Sequence, residues 1–215
     1  MRAAHIHIAD GGSMKHLKST KYKLYVKFTG PLLGSQPGKN TPASDYLREK
    51  VRKEHPDIKV DDEASSLPEE IKKGTTGFHV DERGNPVLFN YHIHGMLKEA
   101  AGILNGGDVK AFREKVGTTV FVSPRKIRIK GKRTDPLERP LRAMTMQGPR
   151  TTLARSEQIA EGASLDCDIV CLNTPKFHLS EDQLRTLLDY GSMSGIGQWR
   201  NSRVYGQFEY TLKKA

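Results

Sequence analysis

The chain has 215 residues and a mass of 24.1 kDa, with 35 Lys+Arg against 25 Asp+Glu, a formal net charge of +10 and a pI of 9.6. That length can bury one core without disulfide staples. A mean hydropathy of −0.60 and the lack of any run near the ~18 apolar residues of a spanning helix argue against a membrane partner. The first twenty residues lack an apolar h-region, so a secretory leader is not expected and a cytoplasmic location is.

Taken in chain order, residues 1–20 read as a flexible tail that holds the pair His5 and His7. Lys21–Phe28 alternates Tyr22, Leu24, Val26 and Phe28 with Lys21, Lys23, Tyr25 and Lys27, the pattern of a half-buried strand. The glycines and prolines of 29–38 end it. A helix is predicted over 42–55, with Thr41 as N-cap and Pro42 at its first position.

Residues 56–85 form a polar insertion, joined to a short hairpin over Gly77–Phe89. Ile93, Met96, Leu97, Ala100, Ala101 and Leu104 have the spacing of a buried helical stripe, and a shorter helix is predicted from Asp108 to Gly117. Strand character returns in Thr118–Val122 and in 126–130, where Lys126, Arg128 and Lys130 share one face.

Charge concentrates in the arm over 124–155. Arg125, Lys126, Arg128, Lys130, Lys132, Arg133, Arg139, Arg142, Arg150 and Arg155 face only Asp135 and Glu138, a net +8 within 32 residues. Local basic surface of this kind suits a phosphate backbone, and arginine adds bidentate binding and stacking. From Gly131 to Ser156 the pattern is too irregular for a core element, so an extended arm carrying Met144 and Met146 is expected.

Leu165, Cys167, Ile169 and Cys171 alternate onto one strand face, so both cysteines read as core residues. They have no further ligand at metal spacing, and no metal or other cofactor is expected. Ser180 and Gln183 form a capping box before a helix bearing Leu184, Leu187 and Leu188 that ends near Gly191, and Phe208, Tyr210 and Leu212 share a face of the last strand. The order strand, helix, strands, helix, strand predicts an α+β, ferredoxin-like antiparallel sheet with helices on one face.

The segment between Gly195 and Gly206 is the most informative for function. Its glycines, among them Gly197, would let backbone amides approach a phosphate, with Arg200 and Arg203 adding charge and Trp199 and Tyr205 offering stacking faces. His92 and His94 precede a helix carrying Lys98 and Glu99, and Glu99 and Asp45 read as lone carboxylates. No nucleophile triad or paired-carboxylate motif stands out.

Gly30–Gly34, Tyr91–Lys98, Ser156–Gly162 and Gly195–Gly206 resemble, in that order, the RAMP superfamily of CRISPR RNA-binding proteins, and are most similar to its backbone subunits. The resemblance implies one RRM-like domain over 1–215, single-stranded guide RNA along a basic face, and copies stacked with other subunits of an antiviral defence complex. It maps the family's glycine-rich loop onto Gly195, Gly197 and Gly206, and its helix start near the RNA onto His94, Gly95 and Lys98. Asp45 is the one candidate for the target-cleaving Asp of some backbone subunits, although the helix predicted around it disfavours that role. The expectation is thus a non-enzymatic RNA-coating subunit. Alternatives are a RAMP-type endoribonuclease processing repeat RNA through His92 or His94 with Lys98, a virus-encoded relative that imitates or inhibits a CRISPR complex, or a protein-interaction module.

Overall fold

A computed structural model describes residues 18–37, 75–105, 109–146 and 148–215. The helix expected over 42–55, Asp45, and the His5/His7 pair lie outside them. The elements are β1 (Lys18–Phe28), β2 (Leu32–Leu33), β3 (Gln36–Pro37), β4 (Thr75–Gly77), β5 (His79–Val80), β6 (Pro86–Phe89), α1 (Asn90–Leu104), α2 (Phe112–Thr119) and β7 (Val120–Ser123). They continue with β8 (Lys126–Arg128), β9 (Arg133–Thr145), β10 (Gly148–Ile159), β11 (Ser164–Asn173), α3 (Glu181–Ser194) and β12 (Phe208–Lys214).

The alternation in β1 decides the central architecture. Tyr22, Leu24, Val26 and Phe28 are buried and the residues between them exposed. Antiparallel partners flank β1 on both sides, with Leu24 opposite Cys167 of β11 and Leu212 of β12, and β7 pairs with the far edge of β11. The order β12-β1-β11-β7 is that of a ferredoxin-like α+β sheet. Its inner face is covered by Ile93, Met96, Leu97, Ala100 and Ala101 of α1 and Leu184, Leu187 and Leu188 of α3. Burial pushes the thiols of Cys167 and Cys171 up to about 12 and about 11, so both act as apolar core groups.

Several boundaries differ from the sequence expectation. Leu104 is half-exposed because α1 ends there, at Asn105 in the left-handed region (φ 53°). Helix α2 begins at Phe112 and runs through Gly117 to Thr119, so β7 starts at Val120 rather than 118. His92 and His94 lie within the first turns of α1, whose start is tied down when the Asn90 amide side chain donates to the Val122 carbonyl at 2.8 Å. Helix α3 runs past Gly191 to Ser194.

The largest departure is the basic arm. It is a regular ribbon: β9 and β10 pair from Gly148↔Thr145 to Ile159↔Arg133 with a bulge between Ser156 and Gln158. Proline at 136, 140 and 149 and the scattered charges hide the period-two pattern, and the ladder of backbone hydrogen bonds supplies the order instead. At its base β10 also pairs with β2 and, in parallel, with β4. Among the described residues β10 pairs only with β9 from Ala154 outward, and the tip at Met146 is fully exposed. The smaller hairpin β5/β6 pairs onward to β8, and the Asp81 carboxylate closes its turn by accepting from the N–H groups of Arg83 (2.9 Å) and Asn85 (2.8 Å).

The Ser180 hydroxyl accepts from the Gln183 N–H at 3.1 Å while the Gln183 side chain accepts from the Ser180 N–H at 3.1 Å. Ser180→Ala therefore costs about 1 kcal/mol in urea unfolding, with an unchanged denaturant slope.

Candidate nucleic-acid interface

The turn after β1 is where the site begins. Gly34 lies against the backbone of Gly77, its carbonyl accepts from the Ser156 hydroxyl at 2.7 Å, and its N–H donates to Glu157 at 3.0 Å. The glycine-rich loop lies on the same turn: Gln198 N–H donates to the Leu33 carbonyl (3.2 Å) and Gly206 N–H to the Pro31 carbonyl (2.9 Å). The space left by the absent Cβ atoms is filled by the chain itself. A Cβ at Gly197 would lie 2.6 Å from the Leu33 carbonyl oxygen, one at Gly195 2.6 Å from that of Tyr205, and one at Gly206 would meet the Ile196 oxygen. These glycines thus permit backbone to pack on backbone.

The loop backbone reverses repeatedly. Beside those glycines, Trp199, Asn201 and Arg203 hold φ of 55°, 67° and 59°, a region costing an L residue roughly 1–2 kcal/mol. Among the described residues the N–H groups of Trp199, Arg200 and Arg203 take no part in the loop's hydrogen bonds. Alternating backbone of this type makes concavities that receive anions.

Side chains from three other segments converge on this loop. The Arg139 guanidinium, from the base of the ribbon, lies 5.6 Å over the Trp199 ring, and Tyr205 lies 6.2 Å from Trp199. Arg200 pairs with Glu99 of α1 at 2.7 Å, which supplies the partner that spacing could not identify. Gly95, Glu99, Gly102, Ile103, Arg113 and Arg200 line an open groove of 450 Å³ along α1. Thr76 of β4 hydrogen-bonds the Gln198 side chain.

The helix residues separate by face. His92 looks toward the loop: its Nδ1–H donates to the Phe89 carbonyl (3.1 Å), leaving Nε2 to accept from the Gln36 amide at 3.5 Å. Burial holds His92 below its ordinary pKa and Arg200 pushes it the same way, against the Phe89 carbonyl. His94 and Lys98 instead face α2, with Lys98 Cε 3.0 Å from where a Gly117 Cβ would be. Burial lowers the pKa of His94, as does Lys98. Of the three helix-start residues Gly95 is exposed, on the groove, and His94 and Lys98 are half-buried.

The basic residues are divided among separate surroundings. Arg125 lies 5.6 Å over Phe89, which heads a column in which Phe89 stacks on Tyr91 and Tyr91 on His92. Arg128 donates to Asn85 at 3.0 Å, Arg133 to the Gly84 carbonyl at 3.5 Å, and Lys130 pairs with Asp166. Arg155 pairs with Glu138 at 2.7 Å. Lys126 is half-buried near His79, and Lys132 is exposed. In the ribbon ladder Arg142 stands opposite Thr151 and Arg150 opposite Ala143. Sequence reasoning missed Gln36, Thr76 and Gln198, whose residue types carry no signal until β3, β4 and the loop are brought together.

No protein-family model matches the chain, and no curated protein matches it. Among solved structures it is similar to a chain of one described as "Cryo-EM structure of the Type III-B Cmr-beta bound to cognate target RNA". The identity is 12%, the TM-score 0.48, and the match covers 92% of this chain and 61% of that one. This chain therefore spans less than two thirds of its neighbour's length. Among the described residues no helix is long and apolar enough to cross a membrane, and no group of three His, Cys, Asp or Glu side chains could hold a metal ion.

Two outcomes are expected from this geometry. Gly206→Ala forces a Cβ into the Ile196 carbonyl at φ 68° and destabilises the fold by at least about 1–3 kcal/mol in chemical unfolding. Buried His79 has its pKa lowered to about 4 by burial, with His92 and Lys126 adding to the shift. The unfolded chain then binds a proton that the folded chain refuses, so stability falls as pH drops from 6.5 toward 4, by up to roughly 3 kcal/mol. Urea midpoints measured across that window fall less steeply in His79→Phe.

Proposed function

We propose that this protein is a non-enzymatic RNA-binding subunit that coats a guide-like RNA, in several stacked copies, within a CRISPR-type ribonucleoprotein. Residues 1–215 are read as a single RAMP-like domain with 56–85 inserted and 124–155 as its arm. The observation that carries the reading is Arg139 lying over Trp199 while Arg200 reaches Glu99. It joins ribbon, loop and α1 in one basic and aromatic surface.

That surface suits a single strand. Ring faces of Trp199 and Tyr205 suit any base, while Arg139, Arg200, Arg203 and the loop N–H groups of Trp199, Arg200 and Arg203 are placed to donate to phosphate oxygens without selecting sequence. The projecting ribbon, with Met146 at its tip and Leu153 half-exposed along it, supports contact with a neighbouring copy or another subunit.

Single-stranded RNA binding falls steeply with salt, with a slope near −0.7 per phosphate contact in log–log form. Arg139→Ala reduces that slope by about 0.7 and Trp199→Ala weakens binding by about 1–3 kcal/mol, both read by filter binding at several salt concentrations. Absence of RNA affinity at low salt overturns the proposal.

A further inference from the structure

The outer face of the main sheet, turned away from both helices, carries a feature that the loop surface does not use. Lys23 of β1 stands directly opposite Lys213 of β12, and Tyr25, two residues along β1, stands opposite Thr211. Like charges directly opposite across a ladder destabilise a sheet. Neither lysine makes an ion pair among the described residues. The nearest carboxylates are already engaged: Asp168, the other cross-strand neighbour of Lys23, pairs with Lys21 at 2.7 Å, and Asp166 pairs with Lys130.

The lysine pair borders an open cavity of 540 Å³ lined by Lys23, Tyr25, Thr211 and Lys213 together with Asp168 and Asp166, the β11 residues directly opposite Lys23 and Tyr25. Tyr25 is 42% exposed in the middle of the sheet, and Lys27 follows it on the same face. Along β1 the face therefore reads cation, ring, cation in steps of about 7 Å. A lysine pair whose neighbouring carboxylates are held by Lys21 and Lys130 attracts an anion, and an exposed ring between cations suits a flat π-system beside that anion. An acidic peptide supplies only the first; a nucleotide strand supplies both.

We infer that this face is a second single-stranded RNA site, separate from the loop surface, in which a phosphate lies between Lys23 and Lys213 and a base stacks on Tyr25. The residues involved face solvent, so Lys213→Thr and Tyr25→Thr keep the strand propensity and leave the core intact.

The test uses the full chain and a short fluorescein-labelled oligouridylate, in the wild type and in an Arg139→Ala/Arg200→Ala background that disables the loop surface. Expected are residual binding in that background, a further loss of about fivefold or more from Lys213→Thr and from Tyr25→Thr, and 4-thiouridine crosslinks on the peptide containing Tyr25. Without RNA, Lys213→Thr raises Tm by about 1–3 °C, because the like-charge pair is removed.

Residual binding unmoved by both substitutions, with crosslinks confined to loop and ribbon, overturns the second site and leaves the proposed function standing. Binding lost in Lys213→Thr and Tyr25→Thr but indifferent to the loop double variant upholds the site and overturns the loop reading. Sensitivity to Lys213→Thr alone, with polyglutamate displacing the oligouridylate, overturns the site in favour of an acidic protein surface.

Discussion

The close approach of backbones at Gly30–Gly34 is the constraint on which the rest depends. The end of β1, Gly77 of β4, Ser156 of β10 and the glycine-rich loop all meet there, backbone against backbone except for the Ser156 hydroxyl, which donates to the Gly34 carbonyl. Side chains at Gly34 or Gly30 would occupy the backbone of Gly77 or Val204. Because buried backbone groups need partners, the bonds from Gln198 to Leu33 and from Gly206 to Pro31 hold the loop in a strained but defined course. The ferredoxin-like sheet positions this junction at the end of β1, one of its two inner strands.

With the junction set, electrostatics follows from neighbours. The basic stretch looks uniform as a string of letters, yet Lys130 spends its charge on Asp166 and Arg155 on Glu138, while Arg125 lies on Phe89 and Arg139 on Trp199. The exposed ion pairs contribute little to stability individually. Their effect is to sort the arginines, so that those near the loop combine charge with aromatic faces. The helix histidines are sorted likewise, with His92 toward the loop and His94 toward α2, and burial keeps both below their ordinary pKa.

Much of this was legible where a local pattern reflects burial on one face. The alternation in β1, β11 and β12, the stripe on α1 and the capping box of α3 each state which side meets the core, since period and solvent exclusion are the same physical fact. The ribbon was not legible, because its prolines and scattered charges break the period-two pattern and its order comes from the backbone ladder. Helix α2 was misplaced at both ends for a related reason: its start at Phe112 has no side-chain cap to signal it, and Gly117 sits inside it under Lys98.

The amino-acid sequence by itself determined the class of fold, the inward faces of its main strands and helices, and the concentration of positive charge in one stretch, all of which depend on residue type and near neighbours. Only the tertiary structure decided that Arg139 meets Trp199, that Glu99 partners Arg200, and that Lys23 stands opposite Lys213. These contacts join residues tens to nearly two hundred positions apart. Their energies act over a few ångströms, so strand register and chain reversal must first bring the groups together.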